Sequence, residues 1–272
     1  MTDKMDVAVP GTGRRELMVD LYWPRCESLA TAVILLHGGG WRMGSRKSMA
    51  DYARILAAHG FLAVAAEYRL LGEAPWPAQL EDVKAVIRWV RVHAGEYGID
   101  PRKIALEGFS AGGHLALLAA GTSESADSSV AAVISLFAPA ILERTLGSGP
   151  NALTMLLGPH CDDRAIESAN PIAHVRAGFP PTFLLGGMDD PLVPPAVTLR
   201  LFDALVRAES AVDLHLIHGH THEFSALPSM LEPVQAEVAL FLKRSVVDPA
   251  GYRRENLELN MFARPGGPPG AP

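Results

Sequence analysis

Cysteine is scarce in this 272-residue chain: only Cys26 and Cys161 occur, in no metal-binding or redox spacing. That argues against a disulfide-built scaffold, and both are expected to be free thiols. Positive charge is also in short supply, with 24 Lys and Arg against 30 Asp and Glu and a formal net charge of −6. A protein that tracks nucleic-acid phosphates needs the opposite balance, so a nucleic-acid partner is not expected. Long hydrophobic runs are missing too. The longest, Val130 to Leu142, is thirteen residues and is broken by Ser135 and Pro139, short of the roughly 20 that cross a bilayer. Met1 to Gly13 mixes Asp3, Lys4 and Asp6 with Pro and Gly and holds no apolar stretch of signal-peptide type. The expectation is a cytoplasmic protein with no membrane partner.

What is present is a core. Apolar residues make 49% of the chain, enough for one large domain with a small addition. Short runs rich in Val, Ile, Leu and Phe alternate with longer segments of helical period, the rhythm of a mostly parallel sheet with helices on both faces. The runs predict strands over Arg14–Tyr22, Ala32–Leu36, Phe61–Glu67, Ile104–Gly108, Ala131–Phe137, Thr182–Leu185 and Val212–Ile217. Helices are expected over Ser48–His59, Trp76–Tyr97, Ala111–Ala120, Pro195–Ala208 and Pro233–Val246. Glu16 to Tyr22 alternates polar and apolar, as an antiparallel edge strand with one wet face would. The rhythm breaks over Ala140–Val175, which reads as a small lid inserted in a domain spanning residues 1–247. Residues 248–272 form a C-terminal extension. Its Leu257, Leu259, Met261 and Phe262 are candidates to dock on the domain or on a second copy in a homodimer, while Arg264–Pro272 cannot build a core and is expected to be disordered.

Two glycine-rich turns carry chemistry. Gly108-Phe109-Ser110-Ala111-Gly112-Gly113 follows an apolar strand and opens a helix. Small residues on either side let the chain reverse sharply, which lifts the Ser110 hydroxyl above the sheet and aims the N–H of Ala111 at charge developing there. His37-Gly38-Gly39-Gly40-Trp41 follows the strand Ala32–Leu36, so the amides of Gly38 and Gly39 are unobstructed donors for an oxyanion. No lysine stands where a phosphate cradle would need it. His37 reads as an anchor of its loop. A serine needs a base, and the base a carboxylate. Asp189 and Asp190 lie just beyond the strand Thr182–Leu185, and His218, His220 and His222 follow Val212–Ile217. The alternating histidines also suggest a metal face, but no carboxylate or cysteine cluster completes a shell, so neither metal nor cofactor is expected.

These two motifs, with Glu67-Tyr68-Arg69-Leu70, Trp76 to Val83 and Tyr97 to Ile104, resemble the α/β-hydrolase esterases. The similar group is that of hormone-sensitive lipase, with its carboxylesterase and feruloyl-esterase-like neighbours, and the likeness runs from about Leu17 to Lys243. It implies an α/β-hydrolase fold and the chain order Ser, Asp, His. The family's Asp-x-x-Val-Pro spacing selects Asp190, and its His-x-Phe pattern selects His222. By position, Ser110 becomes the nucleophile, His222 the base and Asp190 its orienting carboxylate, with Gly38, Gly39 and Ala111 as the oxyanion hole. Phe109 stands where the lipase-like members carry Asp, which tilts the match toward the carboxylesterase and formamidase-like branch. Phe109 and Trp41 are the candidate substrate contacts, with Trp41 either bordering the pocket or packing under the lid. Arg69 and Glu81 read as an internal ion pair, and Asp82 as serving its own helix. The implied activity is hydrolysis of short- to medium-chain or aryl carboxylic esters, a small-molecule partner. The alternatives are an arylformamidase and a hydrolase-fold binding protein without catalysis.

Overall fold

The computed structural model describes residues 1–12, 15–123, 125–144, 152–260 and 262–263. Arg264–Pro272 and the glycine-rich middle of the expected lid lie outside them. The strands are β1 (Lys4–Val9), β2 (Leu17–Tyr22), β3 (Ala32–Leu36), β4 (Leu62–Ala66), β5 (Ile104–Phe109), β6 (Ala132–Leu136), β7 (Thr182–Gly187) and β8 (Val212–Ile217). The helices are α1 (Ala50–Ala58), α2 (Ala78–Val92), α3 (Ala94–Tyr97), α4 (Ala111–Gly121), α5 (Ala152–Leu157), α6 (Asp163–Ser168), α7 (Pro195–Arg207), α8 (Leu231–Leu242) and α9 (Pro249–Leu259).

The strands form one sheet in the order β1-β2-β4-β3-β5-β6-β7-β8, antiparallel at β1–β2 and β2–β4 and parallel from β4 onward. Residues of β3 to β6 are almost all fully buried, because helices cover both faces. Side chains of α1 and α8 pack on one face, and those of α2, α4 and α7 on the other. The register pairs Leu36 with both Ala66 and Gly108, so the parallel strands end in line. Loops leaving that carboxyl edge are the place where α/β sheets collect their functional groups. Among the described residues no helix is long and apolar enough to cross a membrane.

Four sequence expectations need correction. β2 is antiparallel but not the edge, because β1, which composition did not reveal, pairs outside it. Asp20, the apparent wet-face residue, is fully buried and held by Lys47, Arg46 and the N–H of Asp6. β1, largely exposed and carrying Lys4 and Asp6, is the blunted edge. The helix expected over Trp76–Tyr97 begins at Ala78 and is split after Val92 into α2 and α3. The expected Arg69–Glu81 ion pair is present at 3.8 Å, but Asp82, read as serving its own helix, is the closer partner: Arg69 Nε and Nη2 each donate to its carboxylate at 2.7 Å. A fork against a fully buried carboxylate is the stronger arrangement. Finally, α9 buries none of its side chains, and Leu257, Leu259 and Phe262 are exposed rather than docked on the domain.

One buried charge on β5 has a measurable consequence. Glu107 is completely buried three residues before Ser110, and its Oε1 accepts from Gln235 Nε2 of α8 at 2.5 Å. Among the described residues Glu107 Oε2 and Gln235 Oε1 have no partner. Burial pushes this carboxyl up to about 7 against the smaller opposing pull of Gln235, and a proton there supplies the donor the pair lacks. Because the folded state holds that proton more tightly than the unfolded state, stability is greatest at low pH and falls as pH rises from about 4.5 to about 7. Glu107→Gln keeps the shape and cannot ionise, so it is expected to raise stability by on the order of 2 kcal/mol at pH 8 and by little at pH 4.5. Denaturant melts at the two pH values read this directly. Equal effects at both would contradict the assignment.

Candidate active site

The turn after β5 is sharp. Ser110 has φ 51° and ψ −114°, a region that costs a non-glycine residue on the order of 1–3 kcal/mol. A Cβ on Gly112 would run into the carbonyl oxygens of Leu36 and His37, and one on Gly108 into Gly112 O. Backbone crosses backbone here, and only glycine permits it. The Ser110 N–H continues the sheet by donating to Leu136 O at 2.8 Å, which leaves the hydroxyl pointing off the sheet edge.

His222 arrives from the loop after β8. Its Nε2 lies 2.9 Å from Ser110 Oγ and its Nδ1 2.7 Å from Asp190 Oδ2. Asp190 is 5% exposed, and its other oxygen accepts from the N–H groups of Leu192 and Val193 at 2.8 and 2.9 Å. Burial alone would make it a weaker acid. The hydrogen bond from His222, the two amides and the charge of His222 outweigh that and hold the carboxyl below its ordinary range. An ionised Asp190 places the proton of His222 on Nδ1, so Nε2 faces the hydroxyl as an acceptor. Phe137, itself at φ 53°, meets the His222 ring edge-on at 5.7 Å. Asp189 is exposed. His220 turns its Nδ1 to His218 O at 3.0 Å and its ring to Phe224. Among the described residues no group of three His, Cys, Asp or Glu is placed to hold a metal ion.

The glycine loop lies against the elbow: a Cβ on Gly38 would stand 3.1 Å from Phe109 O and 3.3 Å from Ser110 Cβ. Among the described residues the N–H groups of Gly38, Gly39 and Ala111 have no partner outside helix or strand bonding, and a first-turn N–H such as that of Ala111 has none within its helix. His37 anchors this loop. It is 2% exposed, stacks on Tyr68, donates from Nδ1 to Gly38 O at 2.7 Å, and its own carbonyl accepts from the Tyr68 hydroxyl at 2.8 Å. Burial lowers the basicity of His37, against the opposing pull of its bond to Gly38 O and the charge of Glu67. Behind the loop, Arg46 joins Glu67, Asp6 and the buried Asp20.

Neither candidate substrate contact faces open space. Phe109 shares the sheet face of Ala105, because strand side chains alternate. It is 4% exposed and packs on the Tyr52 ring of α1, so it supports the elbow from below. Trp41 is 1% exposed and edge-on to His114 at 5.0 Å. Of its two readings, the packed one matches. Met155 of α5 comes against Gly40, and Arg42 donates to Met155 O. Sequence reasoning passed over His114, fully buried on α4, whose Nε2 lies 2.8 Å from Ala169 O and which burial drives down to about 4. It ties the segment after α6 to the helix behind Ser110. Its position one turn after the serine was the available signal.

A parallel sheet of this order, with a serine on the strand-to-helix turn and an aspartate and histidine on later loops, defines the α/β-hydrolase fold. The chain belongs to the BD-FAE family, whose model matches residues 19–205. It is 30% identical to esterase LipQ of Mycobacterium tuberculosis over 92% of this chain and 64% of that protein. To the probable carboxylic ester hydrolase LipM of the same organism it is 33% identical, over 63% of this chain and 44% of that one. It therefore spans less than two thirds of these relatives' length. The thermophilic esterase Est2 of the planctomycete Thermogutta terrifontis superposes with a TM-score of 0.74 at 27% identity, covering 89% of this chain and 91% of the other.

Proposed function

We propose that the protein is a serine carboxylesterase acting on short- to medium-chain or aryl esters, with Ser110 as nucleophile, His222 as general base and acid, and Asp190 as the carboxylate that orients it. The observation that carries this reading is the unbroken line from Asp190 through His222 to Ser110, at 2.7 and 2.9 Å. Ser110 Oγ attacks the ester carbonyl while His222 Nε2 takes its proton. The N–H groups of Gly38, Gly39 and Ala111 donate to the carbonyl oxygen as it becomes negative. As the tetrahedral species collapses, His222 returns the proton to the leaving alcohol and the acyl group stays on Ser110. Water then repeats the sequence and releases the acid. Imidazolium formed in each half is stabilised by Asp190. The esterases among its relatives favour this activity, and Est2 of T. terrifontis has been solved with butyrate and with propionate bound, which favours short acyl groups here.

A panel of 4-nitrophenyl esters of increasing chain length, run beside N-formylkynurenine, tests the reading. Short esters are expected to turn over fastest; a formyl amide preferred over every ester would make the protein an arylformamidase instead. His222→Ala is expected to lower kcat by about 10⁴-fold or more and Asp190→Asn by about 10⁴-fold, whereas His220→Ala stays within a few-fold of wild type. A dead His220→Ala beside a near-normal His222→Ala would overturn the choice of base.

A further inference from the structure

The residue after His222 serves the fold through its backbone, its carbonyl accepting from the N–H of Ala226 at 3.1 Å. Glu223 is exposed and holds φ 56°, a left-handed conformation that glycine would adopt at lower cost. Its carboxylate makes no hydrogen bond or ion pair within the described residues, whereas that of the exposed Glu73 pairs with Arg15. Its location is specific. Oε1 stands 2.9 Å from the point a Gly38 Cβ would occupy, and Ser110 Cβ stands 3.3 Å from the same point. An unpaired negative charge thus sits against the glycine loop, roughly 6 Å at most from Ser110 Cβ by those two distances. For the proposed chemistry alone this is a poor placement, because a carboxylate beside an oxyanion site opposes the charge that must build there.

We infer that Glu223 is a specificity residue that selects esters whose alcohol portion carries a positive charge. The inference rests on the esterase reading. The alcohol oxygen must receive its proton from His222 Nε2, so the leaving group departs on the side from which His222 and its chain neighbour Glu223 approach. A cation on that group meets the carboxylate and also offsets its field at the oxyanion. An anionic group meets repulsion. The neighbouring Asp189, also exposed, adds charge of the same sign on the Asp190 loop. Two unit charges several ångströms apart at a protein surface interact strongly enough to alter rates by several-fold at low salt, and less as salt rises.

The test compares acetylcholine with its uncharged carbon isostere, 3,3-dimethylbutyl acetate, as a ratio of kcat/KM at low ionic strength. The expected ratio is about fivefold in favour of the cation for wild type, near one for Glu223→Gln and below one for Glu223→Lys. Glu96→Gln removes the same charge from α3, which precedes β5 at the opposite edge of the sheet, and is expected to leave the wild-type ratio standing. A ratio unchanged in both Glu223 variants, or a wild-type ratio at or below one, overturns the inference. The two proposals fail differently. If neutral esters are cleaved in a Ser110-dependent way while the ratio ignores Glu223, only this inference falls. If wild type cleaves no ester and a fluorophosphonate leaves Ser110 unlabelled, the esterase reading falls and takes this one with it.

Discussion

Replacing Ser110 with alanine is expected to lower kcat on short esters by about 10⁵-fold, the largest effect of any single change in this chain. In the proposed mechanism the hydroxyl oxygen is the atom that attacks, and alanine retains everything else: the left-handed turn, the N–H of Ala111 and the glycine loop. What survives is catalysis by the oxyanion donors and by binding alone. If Ser110, His222 and Asp190 act as one unit, as proposed, adding His222→Ala to Ser110→Ala is expected to cost almost nothing further. Circular dichroism and thermal melting of Ser110→Ala should stay close to wild type, since the only hydrogen bond lost is the part-buried one to His222. Residual turnover above a hundredth of wild type, or additive losses in the double variant, would show that another group is the nucleophile.

The second large effect is structural. Gly112→Ala places a methyl group into the carbonyl oxygens of Leu36 and His37, where the end of β3, the end of β5 and the start of α4 cross. Neither strand can retreat, because Leu36 is hydrogen-bonded in register to Ala66 on one side and Gly108 on the other. The expected destabilisation is about 3–5 kcal/mol, a fall in Tm of roughly 10 °C in a domain of this size. Activity should fall with it, because moving His37 moves Gly38 and Gly39. Gly95 in α3 is the matched control: a Cβ there meets nothing within 4 Å, so Gly95→Ala is expected to be neutral or slightly stabilising. If Gly112→Ala melts within 2 °C of wild type, roughly the resolution of the comparison, the crossing is looser than its geometry implies.

The legible parts of this molecule are those whose physics is local. Ala32–Leu36 is a strand over the span expected from its apolar run, because a parallel strand covered on both faces must be apolar throughout. Val212–Ile217, the half-buried strand at the end of the sheet, also forms over the span expected, with Asp213 and His215 alternating with its apolar residues. β1 was hidden since its Lys4, Met5 and Asp6 look like an unstructured start, and it is the pairing with β2 that makes them a strand. Asp20 read as solvent-facing for the same reason: its burial depends on Arg46 and Lys47, which lie beyond β3 in the sequence. Asp82 was taken to serve its helix because nothing in α2 shows that Arg69 folds back onto it. Glu107 gave no signal at all, as a single acid in an apolar strand is legible only once Gln235 faces it from α8.

By itself the sequence determined the kinds of atoms available and the local bends that present them. Glycines at 108 and 112 oblige a serine turn, three glycines after His37 leave amides bare, and alternating apolar segments build the sheet beneath. The family resemblance pointed to His222 among three histidines and Asp190 among two aspartates; only the tertiary structure brings that histidine to the serine and that aspartate to the histidine. The contacts join residues 112 and 32 positions apart, and hydrogen bonds form over about 3 Å. No spacing along a chain specifies that distance; it is set by parallel strands ending in line and by the loops that leave their common edge.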